Sequence, residues 1–355
     1  MTRVIVCMGT GGVGKTTTAA AIAEALCAGG HSTLVATTDP ARRLADVMGI
    51  AAASTIVPVP GRPSLDVYMP DATTGARATA AMLLAHDPGR LAALERNQVF
   101  RALCDGLAGV HELAVLAGLS EVQGRYDHIV IDTAPSRHAL DLLELPGQLE
   151  LLVEGRALRW LGGVARAHLA PVTGVGRLFG WGTRRLLGWF ERALGAGPLS
   201  DAMEVLAVLA DAQPALVRLA RTTKVLLTGP STEYVIVVAA RPDALADVRF
   251  FEHELRRIAH APAHVLINRV PAGAPAWAMA LAATSNVPSS IAEVAELAVQ
   301  EATRALEATR AIEAELGAGP KVIRMPAIEA RDRMTLVTEI ASHLGSDFRG
   351  RAAPR

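Results

Sequence analysis

The residue types and spacing near the start of the chain fit a loop that binds phosphate. They satisfy the pattern G-x-x-x-x-G-K-[ST], and glycines in such a loop let backbone N–H groups face phosphate oxygens without obstruction by side chains. The lysine can reach the β- and γ-phosphates, and the hydroxyl that follows it can coordinate Mg²⁺. A glycine turn before an ordinary helix is the alternative interpretation. The predicted nucleotide-binding residues are Gly9, Thr10, Gly11, Gly12, Val13, Gly14, Lys15, Thr16 and Thr17.

Two aspartates could complete a phosphoryl-transfer site beside this loop. Asp132 ends the apolar run "HIVID", and Asp39 lies in "ATTDPARRL" at the end of another strand-like run. The carboxyl ends of parallel strands meet at one edge of a sheet, so both carboxylates should face the loop. Such a site needs a carboxylate for Mg²⁺ and a group that positions the attacking water. Each aspartate alone could be only a helix N-cap, but the pair beside a phosphate loop favours catalysis.

Short apolar runs that alternate with helical patterns indicate the fold that positions these residues. The first run is followed by a helix over 15–28, and a proline-rich surface loop is predicted at 54–64. Alternating strands and helices favour an α/β fold with a doubly wound, mostly parallel sheet. The predicted strands are 3–8, 32–39, 65–69, 128–132, 234–240, 264–270 and 321–325.

Two stretches break this alternation. Residues 72–120 and 145–225 show helical periodicity, and we expect them to form a helical subdomain inserted in a single P-loop domain that spans 1–355. Within the second stretch, residues 158–194 contain three of the four tryptophans, with arginines between them. Such a segment is typical of a groove for an apolar partner helix or of a membrane-surface contact, although a packed helical cap fits equally well.

Composition excludes several classes of protein. The formal net charge is zero, so we expect no nucleic-acid partner. The three cysteines are widely spaced and suggest neither a disulfide framework nor a zinc site. The first residues lack the pattern of a signal peptide, and no apolar run is long enough to span a membrane. We therefore expect a cytoplasmic protein, with peripheral membrane association as an option.

Three segments together resemble the ArsA-type ATPases, which include the catalytic subunit of the arsenite pump and the guided-entry ATPase for tail-anchored membrane proteins. The segments are "GTGGVGKTT", "TTDPARRLADV" and "VIDTAPSRHALDLLELP", and two weaker matches are "GVHELAVLAGL" and "LINRV". The likeness follows most of the chain in order and is weakest in 145–225. It implies a nucleotide-driven dimer that binds ATP and Mg²⁺ at the subunit interface.

The resemblance also assigns roles to residues by their position in its motifs. Asp39 would orient the attacking water, and Asp132 with Thr16 would hold Mg²⁺. Asn268 would recognise adenine, with the loop near Pro326 contributing. From the residues alone, a satisfied asparagine that closes a strand is the less favoured alternative for Asn268.

The chain departs from the family pattern at a position that matters for catalysis. Thr10 stands where the family carries a signature lysine that reaches the phosphates of the partner subunit. An arginine could replace this cation, and the candidates are Arg137, Arg42 and Arg43; alternatively, a partner subunit carries the lysine. Further departures are Arg137, Ala139 and Asp141 in the third motif, and the absence of the family's zinc and metalloid cysteines.

These observations leave more than one functional hypothesis. The first is an ATP-dependent switch, a homodimer or a heterodimer with a related ATPase, that couples slow hydrolysis to binding or release of an apolar client such as a membrane-protein segment. The second is a nucleotide-binding regulatory subunit with little hydrolysis of its own that pairs with a lysine-bearing ATPase. A membrane-associated positioning ATPase ranks last, because the sequence shows no C-terminal amphipathic helix.

Overall fold

The computed structural model describes residues 2–39, 41, 43–106, 110–134, 139–154, 162–163, 165, 196–284 and 287–348. The chain folds as two compact units. Residues 1–69, 123–140 and 230–355 form the first, which we call the sheet unit. Residues 70–122 and 141–229 form the second, which we call the helical unit.

The sheet unit is built on one eight-stranded sheet with the order β3-β4-β2-β5-β1-β6-β7-β8. Every pair of neighbours is parallel except β3 and β4. This arrangement confirms the predicted α/β fold with a mostly parallel sheet. The strands are β1 Arg3–Met8, β2 Thr33–Thr37, β3 Val57–Val59, β4 Arg62–Tyr68, β5 His128–Asp132, β6 Thr232–Ala239, β7 Pro262–Val270 and β8 Lys321–Pro326.

Helices connect these strands and make up the described part of the helical unit. Those of the sheet unit are α1 Lys15–Ala28, α2 Arg43–Met48, α10 Ala244–Arg257, α11 Ala276–Ala282, α12 Ser289–Leu316 and α13 Arg333–Phe348. The others are α3 Ala72–Leu83, α4 Pro88–Arg96, α5 Gln98–Gly106, α6 Val110–Val122, α7 Ala139–Glu154, α8 Ala196–Asp211 and α9 Gln213–Thr228. Helix α7 begins two residues before the chain enters the helical unit.

Strand β1 occupies the centre of the sheet because its sequence is apolar on both faces. All six of its residues are buried, and it pairs in parallel with β5 on one side and β6 on the other. Helix α1 covers one face of the sheet together with α13, with side chains such as Ile22, Leu26 and Phe348 in the shared core. The loop that follows β1 is therefore held at the middle of the sheet edge, which suits a ligand site in a doubly wound fold.

The prediction of a surface loop at 54–64 is wrong. This stretch enters an antiparallel hairpin of β3 and β4, which turns at Gly61 with φ of 74°. Pro58, which favoured a loop, is compatible with the hairpin because it lies in β3, an edge strand in which a residue without an N–H donor is tolerated.

The helical unit contains an apolar core and an apolar cavity of about 290 Å³. Side chains that line the cavity include Leu83, Leu94, Phe100, Leu103 and Leu216. Most of the tryptophan-rich stretch 158–194 lies outside the described residues. Among the helices that the structure describes, none combines the length and the hydropathy of a membrane span.

Candidate functional site

Residues 9–16, which we call the P-loop, comprise the loop after β1 and the first two residues of α1, and their backbone requires glycine at several positions. Gly9 has φ of 154°, and a β-carbon there would come within 2.2 Å of the backbone oxygen of Val237. Gly14 has φ of 94°, and a β-carbon there would lie 2.3 Å from the side-chain nitrogen of Asn268. The left-handed values and the close approaches explain why the sequence pattern places glycines here.

Lys15 is buried at the start of α1, and its side chain makes a hydrogen bond within the P-loop. Its Nζ donates a hydrogen bond to the backbone oxygen of Thr10 at 3.0 Å. Burial lowers the pKa of Lys15, while Asp132 and Asp39 oppose that shift. A phosphate in the P-loop would compete with the Thr10 oxygen for this ammonium group.

Asp132 combines full burial with an unused acceptor. Its Oδ2 accepts a hydrogen bond from Thr37 Oγ1 at 3.1 Å, whereas its Oδ1 has no hydrogen-bond partner among the described residues. Burial raises the pKa of Asp132 to about 6, and neighbouring Thr16, Lys15 and Thr37 oppose the rise. A buried carboxylate oxygen without a partner, beside a threonine hydroxyl, fits the oxygen donor set that Mg²⁺ prefers.

Asp39 is held by the same threonine that contacts Asp132. The backbone N–H of Asp39 donates to Thr37 Oγ1 at 3.0 Å, so one hydroxyl links the two acidic residues. Its Oδ1 accepts from the backbone N–H of Ala41 at 3.0 Å, and its Oδ2 lies 3.3 Å from Arg43 Nη1. The carboxylate is thus fixed at the end of β2 rather than free to rotate.

The P-loop and Asp39 line the same cavity, which has a volume of about 520 Å³. Arg333 and Leu336 of α13 complete its wall, and sequence analysis did not single them out because they follow the P-loop by more than 300 residues and belong to no local pattern. The lining residues are Gly12, Gly14, Lys15, Thr16, Thr17, Asp39, Arg43, Asp46, Val47, Thr133, Arg333 and Leu336.

Six predicted nucleotide-binding residues and the predicted metal ligand Asp132 lie outside this lining. The six are Gly9, Thr10, Gly11, Val13, Asn268 and Pro326. The side-chain nitrogen of Asn268 donates to the backbone oxygen of Val13 at 2.9 Å, and its Oδ1 accepts from the N–H of Arg269 at 2.9 Å. Asn268 therefore supports the P-loop by a hydrogen bond to its backbone. Pro326 is exposed at the end of β8, where it pairs with Val270.

The structure surrounds Thr10 with charged groups that sequence analysis missed. Arg241 and Asp247, which follow β6, both hydrogen bond to the Thr10 hydroxyl. Of the arginines predicted to replace a lysine at position 10, Arg43 is paired with Asp39, while Arg42 and Arg137 lie outside the described residues. No local pattern in the sequence indicates these contacts, because more than 230 residues separate Thr10 from Arg241 and Asp247.

The cysteines do not form a metal centre in the part of the chain that the structure describes. Cys7 and Cys104 are buried, and Cys27 is partly buried. No group of three or more cysteine, histidine or acidic side chains there could hold a metal ion.

Comparison with known proteins agrees with this geometry. Residues 2–172 match the family model described as "Anion-transporting ATPase". Over 155 residues the chain is 34% identical to the arsenical pump-driving ATPase of Acidiphilium multivorum. This match covers 41% of this chain and 26% of that protein. It is 34% identical over 144 residues to the ATPase get3 of Aspergillus terreus, covering 40% of this chain and 42% of that protein.

A longer match connects the chain to an uncharacterized protein of Streptomyces coelicolor. The two are 32% identical over 256 residues, which cover 68% of this chain and 63% of that protein. The matched region spans about a quarter of the length of the arsenical pump-driving ATPases. The P-loop, Asp39 and Asp132 all fall within the region that the family model matches, so residues 2–172 are similar to the anion-transporting ATPase family.

Proposed function

We propose that this chain is an ATP hydrolase that uses Mg²⁺. The observation that carries the proposal is Asp132, a fully buried carboxylate with an unpartnered oxygen beside Thr16 and Lys15, next to a cavity that also contains Asp39. A site that transfers a phosphoryl group to water needs this combination of phosphate cradle, cation, metal ligand and water-positioning carboxylate.

Each residue has a distinct part in the proposed reaction. Backbone N–H groups of the P-loop hold the phosphates, and the Lys15 ammonium neutralises charge on the β- and γ-phosphates. Thr16 and Asp132 hold Mg²⁺, which supplies charge stabilisation when it is bound. Asp39, fixed through Thr37 and Ala41, orients the attacking water. We retain Asn268 and Pro326 as proposed adenine contacts, although the amide of Asn268 is engaged with the P-loop.

We further propose that hydrolysis is coupled to an apolar client in a dimer, either a homodimer or a heterodimer with a related ATPase. The support is the resemblance of the motifs and the apolar cavity of about 290 Å³ in the helical unit. We expect slow turnover by the chain alone, because Thr10 carries no charge at the position of the family's signature lysine.

The test is ATP hydrolysis by the purified chain with and without Mg²⁺, for the wild type and for Lys15→Ala and Asp39→Asn. We expect Lys15→Ala to lose ATP binding, and Asp39→Asn to keep ATP binding but lose hydrolysis by a factor of about 100 or more. Asp71→Asn is the matched control: Asp71 caps α3 through the N–H of Thr74, and asparagine caps helices equally well.

Two results would contradict the proposal. Hydrolysis that persists in Asp39→Asn would remove that residue from the mechanism. Wild-type chain that binds ATP through Lys15 without any turnover would instead support a regulatory subunit that depends on a partner ATPase.

A further inference from the structure

Thr10 is the centre of a charged cluster beside the P-loop. Its Oγ1 donates a hydrogen bond to Asp247 Oδ2 at 2.9 Å and accepts one from Arg241 Nη2 at 3.2 Å. The same Nη2 lies 3.2 Å from Asp247 Oδ2, and Arg241 Nε lies 2.9 Å from Asp243 Oδ1. These contacts fix the guanidinium of Arg241 directly on the second residue of the P-loop.

The topology explains why an arginine so distant in sequence arrives at this point. Arg241 follows β6 by two residues, and β6 is the parallel neighbour of β1, which leads into the P-loop. The two strands therefore end side by side, and residues that follow them meet at the same edge of the sheet. Thr10 consequently contacts two cations, Lys15 through its backbone oxygen and Arg241 through its hydroxyl.

We propose that Arg241 supplies the positive charge that Thr10 itself lacks, by contacting the terminal phosphate of the nucleotide, and that Asp247 and Asp243 hold the guanidinium in place until the nucleotide binds. This inference rests on the proposed function as an ATPase. A guanidinium is suited to the role because it binds phosphate oxygens through two parallel N–H groups.

The ion pairs around Arg241 are weak enough to be exchanged. The side chain of Arg241 is 39% exposed, and those of Asp243 and Asp247 are 67% and 23% exposed, so water reaches all three partners and screens their attraction. A terminal phosphate carries more negative charge than one carboxylate and accepts more hydrogen bonds, so it can displace Asp247 from Arg241. The Arg241 guanidinium then binds the terminal phosphate of ATP, and it pairs with Asp247 again after that phosphate leaves.

The experiment compares Arg241→Gln with a double variant that combines Thr10→Lys and Arg241→Gln. We expect Arg241→Gln to lower kcat by about 100- to 1000-fold, as loss of a group that stabilises transition-state charge does. Fluorescence titration should show weaker binding of a non-hydrolysable ATP analogue with little change for ADP. The double variant should regain both properties, because the lysine introduced at position 10 restores a cation at the same place. Arg249→Gln is the matched control, since Arg249 lies on α10 in an exposed ion pair with Glu315.

An Arg241→Gln variant within twofold of the wild type in kcat and in analogue affinity would overturn the inference, as would a folded double variant that regains neither. Loss of folding would show as a lower melting temperature in Arg241→Gln but not in the control. If the wild type hydrolyses no ATP, the proposed function fails, and the titrations still decide whether Arg241 contacts the terminal phosphate.

The phosphate could belong to the same chain or to a second copy, and mixing separates these cases. Arg241→Gln chains mixed with Lys15→Ala chains regain turnover only if Arg241 acts across an interface. Without regained turnover, the arginine acts on the nucleotide of its own chain.

Discussion

The side-chain amide of Asn268 donates a hydrogen bond to the backbone oxygen of Val13 at 2.9 Å, which ties the end of β7 to the P-loop. We expect Asn268→Asp to weaken the loop, because a carboxylate oxygen would then face the Val13 oxygen without a proton between them. The expected cost is about 1–3 kcal/mol in the free energy of unfolding, measured with urea.

The same residue allows loop support to be separated from base recognition. We expect Asn268→Ala to weaken the binding of ATP and GTP because the amide supports the P-loop, and to weaken ATP binding further because Asn268 is a proposed adenine contact. Equal losses would limit Asn268 to loop support. A loss confined to ATP would show that Asn268 reads the adenine base. Competition of both nucleotides against a fluorescent analogue gives the two affinities.

Two glycines of the P-loop should respond differently to the same substitution. Gly9→Ala places a β-carbon 2.2 Å from the backbone oxygen of Val237, which cannot move without distorting β6, whereas Gly12→Ala meets no atom within 4 Å. We expect a loss of more than about 2 kcal/mol for Gly9→Ala and about 1 kcal/mol for Gly12→Ala, the latter from its φ of 77° alone. Thermal unfolding of both variants checks the difference, and equal losses would contradict the close approach at Gly9.

Buried His128 should make the fold less stable in acid. Burial, with help from Arg3 and His31, lowers the pKa of His128 to about 4, so the folded chain keeps this ring neutral while the unfolded chain protonates it near pH 6.5. The free energy of unfolding should therefore fall by about 1–3 kcal/mol as the pH drops from 6.5 to 4.

Unfolding by urea at pH 7 and pH 5 measures this dependence. His128→Leu should flatten it, while His343→Leu, which changes an exposed histidine on α13, should leave it unchanged. A slope that persists in His128→Leu would assign the acid sensitivity to other groups.

The apolar cavity of the helical unit should determine affinity for an apolar client. We expect a labelled helical peptide of apolar residues to bind the chain, and Leu103→Gln to weaken that binding by about tenfold because Leu103 lines the cavity. Val225→Gln is the control, since Val225 lies on α9 of the same unit and is 58% exposed. Fluorescence anisotropy gives the affinities, and equal affinity in the two variants would place the client elsewhere.

The parts of the molecule that the sequence could predict are those in which local pattern decides the structure. Strands such as β1 and β5 are short apolar runs buried on both faces, and the P-loop is a contiguous motif. The hairpin of β3 and β4 was missed because Pro58 and Pro60 suggest a loop when the edge position of β3 is not known.

Contacts between segments that are far apart in the chain could not be predicted from the sequence. Arg241 reaches Thr10 only because β6 lies beside β1, and Arg333 enters the cavity only because α13 packs beside α1. Neither strand order nor helix packing can be obtained from one sequence without knowledge of the fold. A replacement cation could therefore be predicted only among arginines in the recognised motifs, and not at Arg241, which follows another strand.

The central position of β1 has a consequence for how the amide hydrogens of the chain exchange with solvent. Because β1 is bonded on both sides, by β5 and β6, its amides should exchange only through global unfolding, whereas the exposed Gly11 and Gly12 should exchange quickly. The fastest and slowest exchange rates would then lie a few residues apart. Nucleotide binding should slow the exchange of the Gly11 and Gly12 amides and leave the slow exchange of the β1 amides unchanged. The β1 amides would then serve as an internal reference when nucleotide binding to the P-loop is measured.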